Sequence, residues 1–208
     1  RTDWALRIIG AVPSKNEQVF IGGKPVVINS PASARNFGVG MVPENRKDHG
    51  LVLGRTVRSN VTMTILDRLA KWFGFLNTGS QSDTCSLYVD RLDIRCSSEA
   101  VECGTLSGGN QQKIVLAKWL ARNCQVIILD EPTRGIDVGT KFEMYTLINE
   151  LSEAGKAILL ISSDLPELMS MSDRIYVMHL ENLVAEFDSK QTTDEEVMHY
   201  AFGYFDRD

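Results

Sequence analysis

Three residues at the start of a predicted helix have the types and order that bind phosphate. Ser107, Gly108 and Gly109 open the stretch SGGNQQKIVLAKWLARN, whose remainder has the composition of a good helix. A glycine in a helix interior costs about 1 kcal/mol relative to alanine, so stability does not explain the pair. At a helix start, glycines let a ligand approach the backbone, and the first N–H groups are unpaired. The stretch therefore predicts an anion site, for phosphate above all, with the Ser107 hydroxyl at the same pole.

Two adjacent carboxylates, Asp130 and Glu131, follow the apolar run VIIL. Such a run predicts a short strand covered on both faces, and ligands of open parallel sheets lie at the carboxyl ends of strands. There Asp130 would hold Mg²⁺ through ordered water, and Glu131 would act on a nucleophilic water. Taken alone, the pair has an equally good structural interpretation as an acidic turn that caps the next helix.

Composition limits the classes of protein to which the chain can belong. Its 208 residues carry a net charge of −5, with 43% hydrophobic and 24% charged residues, an ordinary globular balance. It has no basic surplus of the kind that nucleic-acid binders show, and no apolar run near the roughly 18 residues that span a bilayer. The four cysteines are predicted to be free thiols of a cytosolic protein. Because the first residue is Arg1 rather than methionine, we expect the chain to be part of a longer protein.

The order of strand and helix patterns predicts an α/β fold with a mainly parallel sheet flanked by helices and a small antiparallel β part. One domain is expected over 1–208, with an α/β core at 1–55 and 104–208 and an inserted helical subdomain at 56–103. Within that subdomain the clearest predicted helix covers 57–72, and residues 77–83 are predicted as a loop. Outside it the predicted elements are a helix at 4–9, a hairpin turning at Gly22–Gly23, a short helix ended by Gly38, strands at 39–42, 125–130 and 157–162, helices at 138–153, 165–171 and 194–203, and a strand pair at 174–180 and 183–188.

The spacing of several motifs resembles that of the ABC-transporter ATPase family. LSGGNQQ is similar to the family's signature motif, VIILDEPT to its Walker B strand and GID to its D-loop. The segments VPENRKDHGL and ISSDLPELMSMSDRI resemble the sequences of one subgroup. This subgroup is the C-terminal nucleotide-binding half of the tandem ATPases that drive bacterial monosaccharide importers, such as those for ribose, galactose or xylose. The resemblance implies a P-loop NTPase-like ABC ATPase domain that begins inside its phosphate loop.

The resemblance also implies ATP and Mg²⁺ as ligands and assigns roles to residues. Catalytic positions fall on Glu131 and Ser163, Mg²⁺ on Thr2 and Asp130, and nucleotide contacts on Arg1, Thr2, Glu44, Ser107, Gly108, Gly109, Asn110, Gln111 and Asp137. Three positions depart from the family pattern: Arg1 replaces a lysine, Glu44 a glutamine and Ser163 the switch histidine. The segment's own site is therefore expected to bind nucleotide and hydrolyse it poorly.

Partners follow from the same resemblance. Two ATPase halves of this family pair head to tail, so the signature motif is expected to grip ATP held by another half, in the same chain or a second one. Membrane permease subunits and, indirectly, a sugar-binding protein outside the membrane are implied, at the cytoplasmic face, with no nucleic acid. Two alternatives stay open: a soluble ABC ATPase acting on nucleic acid or ribosomes, and a non-catalytic regulatory domain. The isolated segment is expected to have little ATPase activity.

Overall fold

The computed structural model describes residues 2–13, 18–70 and 75–204. In chain order its helices and strands are α1 (Thr2–Ile8), β1 (Val19–Ile21), β2 (Lys24–Val26), α2 (Pro31–Asn36), β3 (Val39–Val42), α3 (Val57–Thr62), α4 (Leu66–Leu69), α5 (Thr78–Arg91), α6 (Gly108–Ala121), β4 (Val126–Asp130), α7 (Val138–Glu153), β5 (Ala157–Ile161), α8 (Leu165–Met171), β6 (Arg174–His179), β7 (Asn182–Asp188) and α9 (Asp194–Ala201).

A three-stranded parallel sheet, in the order β3-β4-β5, lies at the centre of the molecule. The apolar run of β4 is buried because both faces of the strand are covered. Ile127 and Leu129 pack in one hydrophobic cluster with residues of α6 and α7, and Ile128 packs in a second cluster with Ala5 of α1 and Ala34 of α2. The predicted parallel sheet flanked by helices is thereby confirmed, and β4 carries Asp130 at its carboxyl end.

Two antiparallel strand pairs complete the β structure that the sequence predicts. Strands β1 and β2 pair across Gly22 and Gly23, whose φ angles of 57° and 76° are the left-handed values that glycine adopts without strain. Strands β6 and β7 form the closing pair. The four cysteines are free, as predicted. Among the helices of the described residues, none has both the length and the apolar character that crossing a membrane requires.

The region between Thr56 and Cys103 is mostly helical, but its predicted loop at 77–83 is wrong. Helix α5 begins at Thr78, and the Asn77 side chain caps it by accepting a hydrogen bond from the Ser80 amide at 3.4 Å. The Gln81 side chain is buried and donates to the Thr62 hydroxyl at 3.1 Å. Small polar residues, which are typical of loops, are here the residues that start a helix and fix it to its neighbour.

The predicted continuous helix over 57–72 is also wrong, because α3 ends at Thr62 and a 3-10 turn at Met63–Ile65 separates it from α4. Residues 71–74 lie outside the described part. Two threonine hydroxyls make backbone hydrogen bonds in this stretch: Thr62 donates to the Arg58 carbonyl at 2.8 Å and Thr64 to the Lys118 carbonyl at 2.5 Å. Such bonds, with β-branched side chains, weaken the regular helix.

A single π-helical turn at Arg46–Gly50 follows β3 and was not predicted from the sequence. The Asn45 side chain starts it by accepting hydrogen bonds from the amides of Lys47 and Asp48, at 3.2 and 3.3 Å. At its end the ammonium of Lys118, a buried residue of α6, donates to the Gly50 carbonyl at 2.5 Å. The turn is therefore attached to the core helix that begins at Ser107.

The buried Lys118 ammonium makes stability depend on pH. Burial lowers the pKa of Lys118 to about 8 from its ordinary value near 10.5, so between these two values the unfolded state binds more protons than the folded state. Stability therefore rises with pH across this interval, by about 3 kcal/mol in total. We expect the difference in free energy of unfolding, wild type minus Lys118→Met, to increase by this amount between pH 7 and pH 11. Urea denaturation of both proteins at the two pH values measures it. A parallel course for the two proteins would contradict the assignment.

Candidate functional site

A cavity of about 390 Å³ opens at the carboxyl ends of the parallel strands. It brings together five residues that the sequence predicts for one site, and adds three others. The lining consists of Thr2, Asp3, Glu44, Asp130, Glu131, Arg134, Ile161 and Ser163. The predicted contact of Arg1 falls outside the described residues.

Asp130 carries a buried carboxylate with few polar partners among the described residues. The residue is 0% exposed, and neither of its oxygens makes a regular hydrogen bond with the described part of the chain. Burial raises the pKa of Asp130 above its ordinary value, with Glu44 and Glu131 adding to the rise, while the Thr2 side chain opposes it. A buried charge with too few partners is energetically costly. The Asp130 carboxylate is therefore suited to bind a cation.

Glu131, the next residue, has an unusual backbone conformation. Its φ angle is 47°, in the left-handed region that glycine favours. Its amide donates to the Ile161 carbonyl at 2.8 Å, which ties the turn to the end of β5. A non-glycine residue held in this region stores strain, a feature that clusters at functional sites.

An ion pair that sequence analysis missed crosses the cavity. The guanidinium of Arg134 donates to the Glu44 carboxylate, and both side chains are partly exposed. The backbone of the same arginine is fixed separately, because its carbonyl accepts from Arg46 Nη1 at 3.2 Å. The available signal was the arginine directly after the EPT motif, opposite a glutamate that replaces a neutral amide.

The predicted phosphate pole lies outside this cavity. Ser107 is the exposed N-cap of the 14-residue α6, and its Oγ accepts from the Asn110 amide at 3.4 Å and from Asn110 Nδ2 at 2.9 Å. The cap and the signature glycines are therefore placed at the amino end of a long helix, as predicted, with the cap residue open to solvent. The structure thus holds two separate groups of predicted site residues.

Gly109 also has an internal reason to be glycine, which the sequence interpretation did not include. A Cβ on Gly108 would lie 2.5 Å from Arg46 Nη2, and a Cβ on Gly109 would lie 2.5 Å from Thr140 Cγ2. Both distances are far below a normal contact. The arginine tip near Gly108 can move aside, whereas the branched Thr140 side chain is held on α7. Gly109 thus lets α7 pack against the start of α6, in addition to any approach of a ligand.

The other residues predicted near this pole have mixed surroundings. Gln111 is buried, and its amide donates to the carbonyls of Cys103 and Leu106, both at 3.1 Å, so its contact with nucleotide stays a prediction with an internal role beside it. Asp137 is exposed and caps α7, where it accepts from the Thr140 amide at 3.0 Å. Hydrogen bonds from Thr140 lower the pKa of Asp137.

The contact between Gly109 and Thr140 gives a stability prediction. Gly109→Ala is expected to lower the free energy of unfolding by about 1–3 kcal/mol, because overpacking forces the two helices apart. The double variant Gly109→Ala/Thr140→Ala should lose less than the sum of the two single variants, since the clashing side chain has been shortened. Urea denaturation of the four proteins measures this coupling. Strict additivity would show that the contact is not the cause.

The cavity chemistry fits a metal-bound polyanion rather than a free one. Four carboxylates line it, from Asp3, Glu44, Asp130 and Glu131, and one of them is paired with Arg134. Mg²⁺ takes one or two protein carboxylates and completes its octahedron with waters and substrate phosphates. Asp130 has two unsatisfied oxygens for such a hydrated ion, and the Thr2 hydroxyl lines the same cavity.

Several known proteins are similar to this chain in amino-acid sequence. The chain is 42% identical over 203 residues to the ribose import ATP-binding protein of Oceanobacillus iheyensis, with 98% of the chain and 41% of the relative aligned. It is 44% identical to a putative ribose/galactose/methyl galactoside import ATP-binding protein of Burkholderia cenocepacia and 42% identical to the xylose import ATP-binding protein of Thermoanaerobacter pseudethanolicus, again covering 98% of the chain and 40% of each relative. The chain thus spans about two fifths of these proteins.

Solved structures share the fold at low sequence identity. An ATP-binding cassette of an ABC transporter in its ADP conformation superposes with a TM-score of 0.72 at 19% identity, covering 97% of this chain and 79% of that one. A dimeric post-hydrolysis cassette bound to ADP and Pi gives 0.72 at 21% identity, covering 90% and 80%. The family model described as "ABC transporter" matches residues 5–134, more than half of the chain. This chain therefore belongs to the ABC transporter family of ATP-binding proteins.

Proposed function

We propose that the chain is the C-terminal nucleotide-binding half of an ATPase that powers monosaccharide import. Relatives named for ribose, galactose and xylose import support the sugar class. The full protein would work at the cytoplasmic face of the membrane, with permease subunits and, indirectly, a sugar-binding protein on the other side. ATP binding would close the two halves, and hydrolysis would reopen them.

The observation that carries the proposal is the buried Asp130 carboxylate, which makes no regular hydrogen bond with the described residues, next to the strained Glu131. Bound Mg²⁺ would supply charge neutralisation for the nucleotide phosphates. Asp130 would hold the hydrated ion with the Thr2 hydroxyl, and Glu131 would orient and accept a proton from a water at the cavity. Both carboxylates are provided by one strand end, which fixes their spacing before any ligand arrives.

The separation of the two site groups supports two different nucleotides. The cavity residues lie at the carboxyl ends of the sheet, whereas Ser107 is the exposed tip of α6 and does not line that cavity. The Ser107 hydroxyl and the unpaired amides of the first turn would grip the γ-phosphate of ATP anchored on the other ATPase half. Donors fixed in advance stabilise charge that develops on the transferred group.

The segment's own site is proposed to hydrolyse slowly. Ser163 lines the cavity where the family resemblance places an imidazole, and a hydroxyl lacks the charge and reach of a protonated histidine. Glu44 adds a carboxylate where a neutral amide is expected. Both changes act against phosphate binding, so the partner site would carry most of the turnover.

Sugar uptake by cells tests this function. Deletion of the full-length gene should abolish high-affinity uptake of one sugar from a radiolabelled panel of ribose, galactose and xylose. A wild-type copy should restore it, whereas a copy with Ser107→Arg should not, and immunoblotting would confirm equal amounts of the two proteins. Unchanged uptake of every sugar after deletion would contradict the proposal.

A further inference from the structure

The position of Arg134 in the cavity indicates a role beyond stabilising the turn after β4. Among the described residues that line the cavity, it is the one cationic side chain, facing four carboxylates. It follows Asp130 by four residues and Glu131 by three, and its amide donates to the Glu131 carbonyl at 3.1 Å. The backbone of Arg134 is therefore tied to the same strand end that positions the two carboxylates.

The backbone and the side chain of Arg134 are held by different partners. Its carbonyl accepts from Arg46 at 3.2 Å, so the backbone stays in place when the guanidinium moves. Within the described part of the chain, the guanidinium pairs with Glu44, and the arginine side chain of this ion pair is 66% exposed. Exposed pairs of this kind are weak and exchange partners readily. The guanidinium can thus leave Glu44 without disturbing the turn.

We propose that Arg134 contacts the terminal phosphate of the nucleotide bound in this cavity, and that Glu44 holds its guanidinium until that nucleotide arrives. A phosphate offers more charge than a carboxylate, and the planar guanidinium binds it with two parallel hydrogen bonds. The arginine thereby supplies the cation that Ser163 does not. Holding the guanidinium beforehand would give Glu44 a role at a position where its own charge opposes the ligand.

The inference rests on the proposed function and extends it to the residues of this half's own site. Its test uses the full-length protein and the fluorescent nucleotide MANT-ATP with Mg²⁺. Trp4 lies in α1, whose first residue Thr2 lines the cavity. Energy transfer from Trp4 to the MANT group, taken as the difference from a matching Trp4→Phe protein, reports nucleotide near this site.

Arg134→Ala is expected to weaken MANT-ATP binding in this assay by about tenfold or more, the usual effect of losing a hydrogen bond to a charged group. Arg134→Lys should recover part of the loss, because it restores the charge without the two-pronged geometry. Glu44→Gln should strengthen binding, since it frees the arginine and removes a repelling carboxylate. MANT-ADP, which has no terminal phosphate at that place, should respond far less to all three substitutions.

A matched control is available in the β6–β7 pair. Arg174 is 67% exposed and pairs with Glu186 at 3.2 Å, and neither residue lines the cavity. Arg174→Ala should leave MANT-ATP binding unchanged. Equal binding by wild type, Arg134→Ala and Glu44→Gln would overturn the inference while leaving the proposed function intact. If the wild type gave no Mg²⁺-dependent transfer, both the proposed function and the inference would fall.

Discussion

Ser107→Arg is expected to lower ATP turnover by the full-length protein by at least about 100-fold, the usual scale for losing a donor to a developing oxyanion. The substitution removes the hydroxyl at the amino pole of α6 and places a long side chain over the first-turn amides. Ser107 is exposed, and the hydrogen bonds of its hydroxyl to the described residues are both with Asn110. The core should therefore tolerate the change, at a cost of about 1 kcal/mol for the lost cap.

A second N-cap separates the cap effect from the catalytic effect. Thr193 is also exposed, and its hydroxyl caps α9 by accepting from the Glu196 amide at 3.2 Å. Thr193→Arg should lose a similar amount of stability and keep wild-type turnover. A steady-state phosphate-release assay with purified protein compares the variants. Wild-type turnover in Ser107→Arg would rule out any role of this pole in hydrolysis.

Asp130→Asn is expected to change stability and ligand binding in opposite directions. Without nucleotide, the variant should unfold with a free energy higher by on the order of 1 kcal/mol, because a poorly compensated buried charge is replaced by a neutral amide. With Mg²⁺ and nucleotide, its affinity at this half's site should fall about 10- to 100-fold, as for residues that hold a metal through water. Thermal melts with and without Mg·ATP measure both effects.

The pH dependence of the same variant follows from the raised pKa of Asp130. In the interval above the unfolded pKa of about 3.9, the folded wild type binds more protons than the unfolded chain, so its stability falls as the pH rises through the folded pKa. Asp130→Asn lacks this loss. Asp90→Asn, at an exposed position of α5, is the neutral control. Equal stability of wild type and Asp130→Asn at pH 7 would show that the carboxylate is compensated.

The sheet, the Asp130–Glu131 pair and the α6 cap could be predicted because their signals are local, whereas Glu44 and Ser163 were assigned through the family resemblance. The apolar run of β4 is continuous since both faces are covered, and this places Asp130 at a strand end. The Ser107 cap and the long helix behind it follow from neighbouring residues in the same way. Glu44, Asp130, Glu131 and Ser163 line one cavity because parallel strands end at the same edge.

The parts that could not be predicted depend on contacts between distant segments. The bond from Thr64 to Lys118 joins residues 54 positions apart, and it accompanies the break between α3 and α4. The pair of Arg134 with Glu44 spans 90 positions, so the local sequence around each residue does not show that the two meet. The prediction for the start of α5 was wrong for a different reason: the same small polar residues favour both turns and helix caps.

One cross-linking measurement tests the central claim, that the tip of α6 holds a nucleotide anchored on another ATPase half. Full-length protein is irradiated with Mg²⁺ and an ATP analogue carrying an aryl azide on its γ-phosphate, and labelled peptides are identified by mass spectrometry. We expect label on the peptide that contains Ser107, competed away by ATP, and lost when the other half's phosphate loop is inactivated while this cavity is left intact. Label that persists after that inactivation, or that never reaches this peptide, would contradict the account.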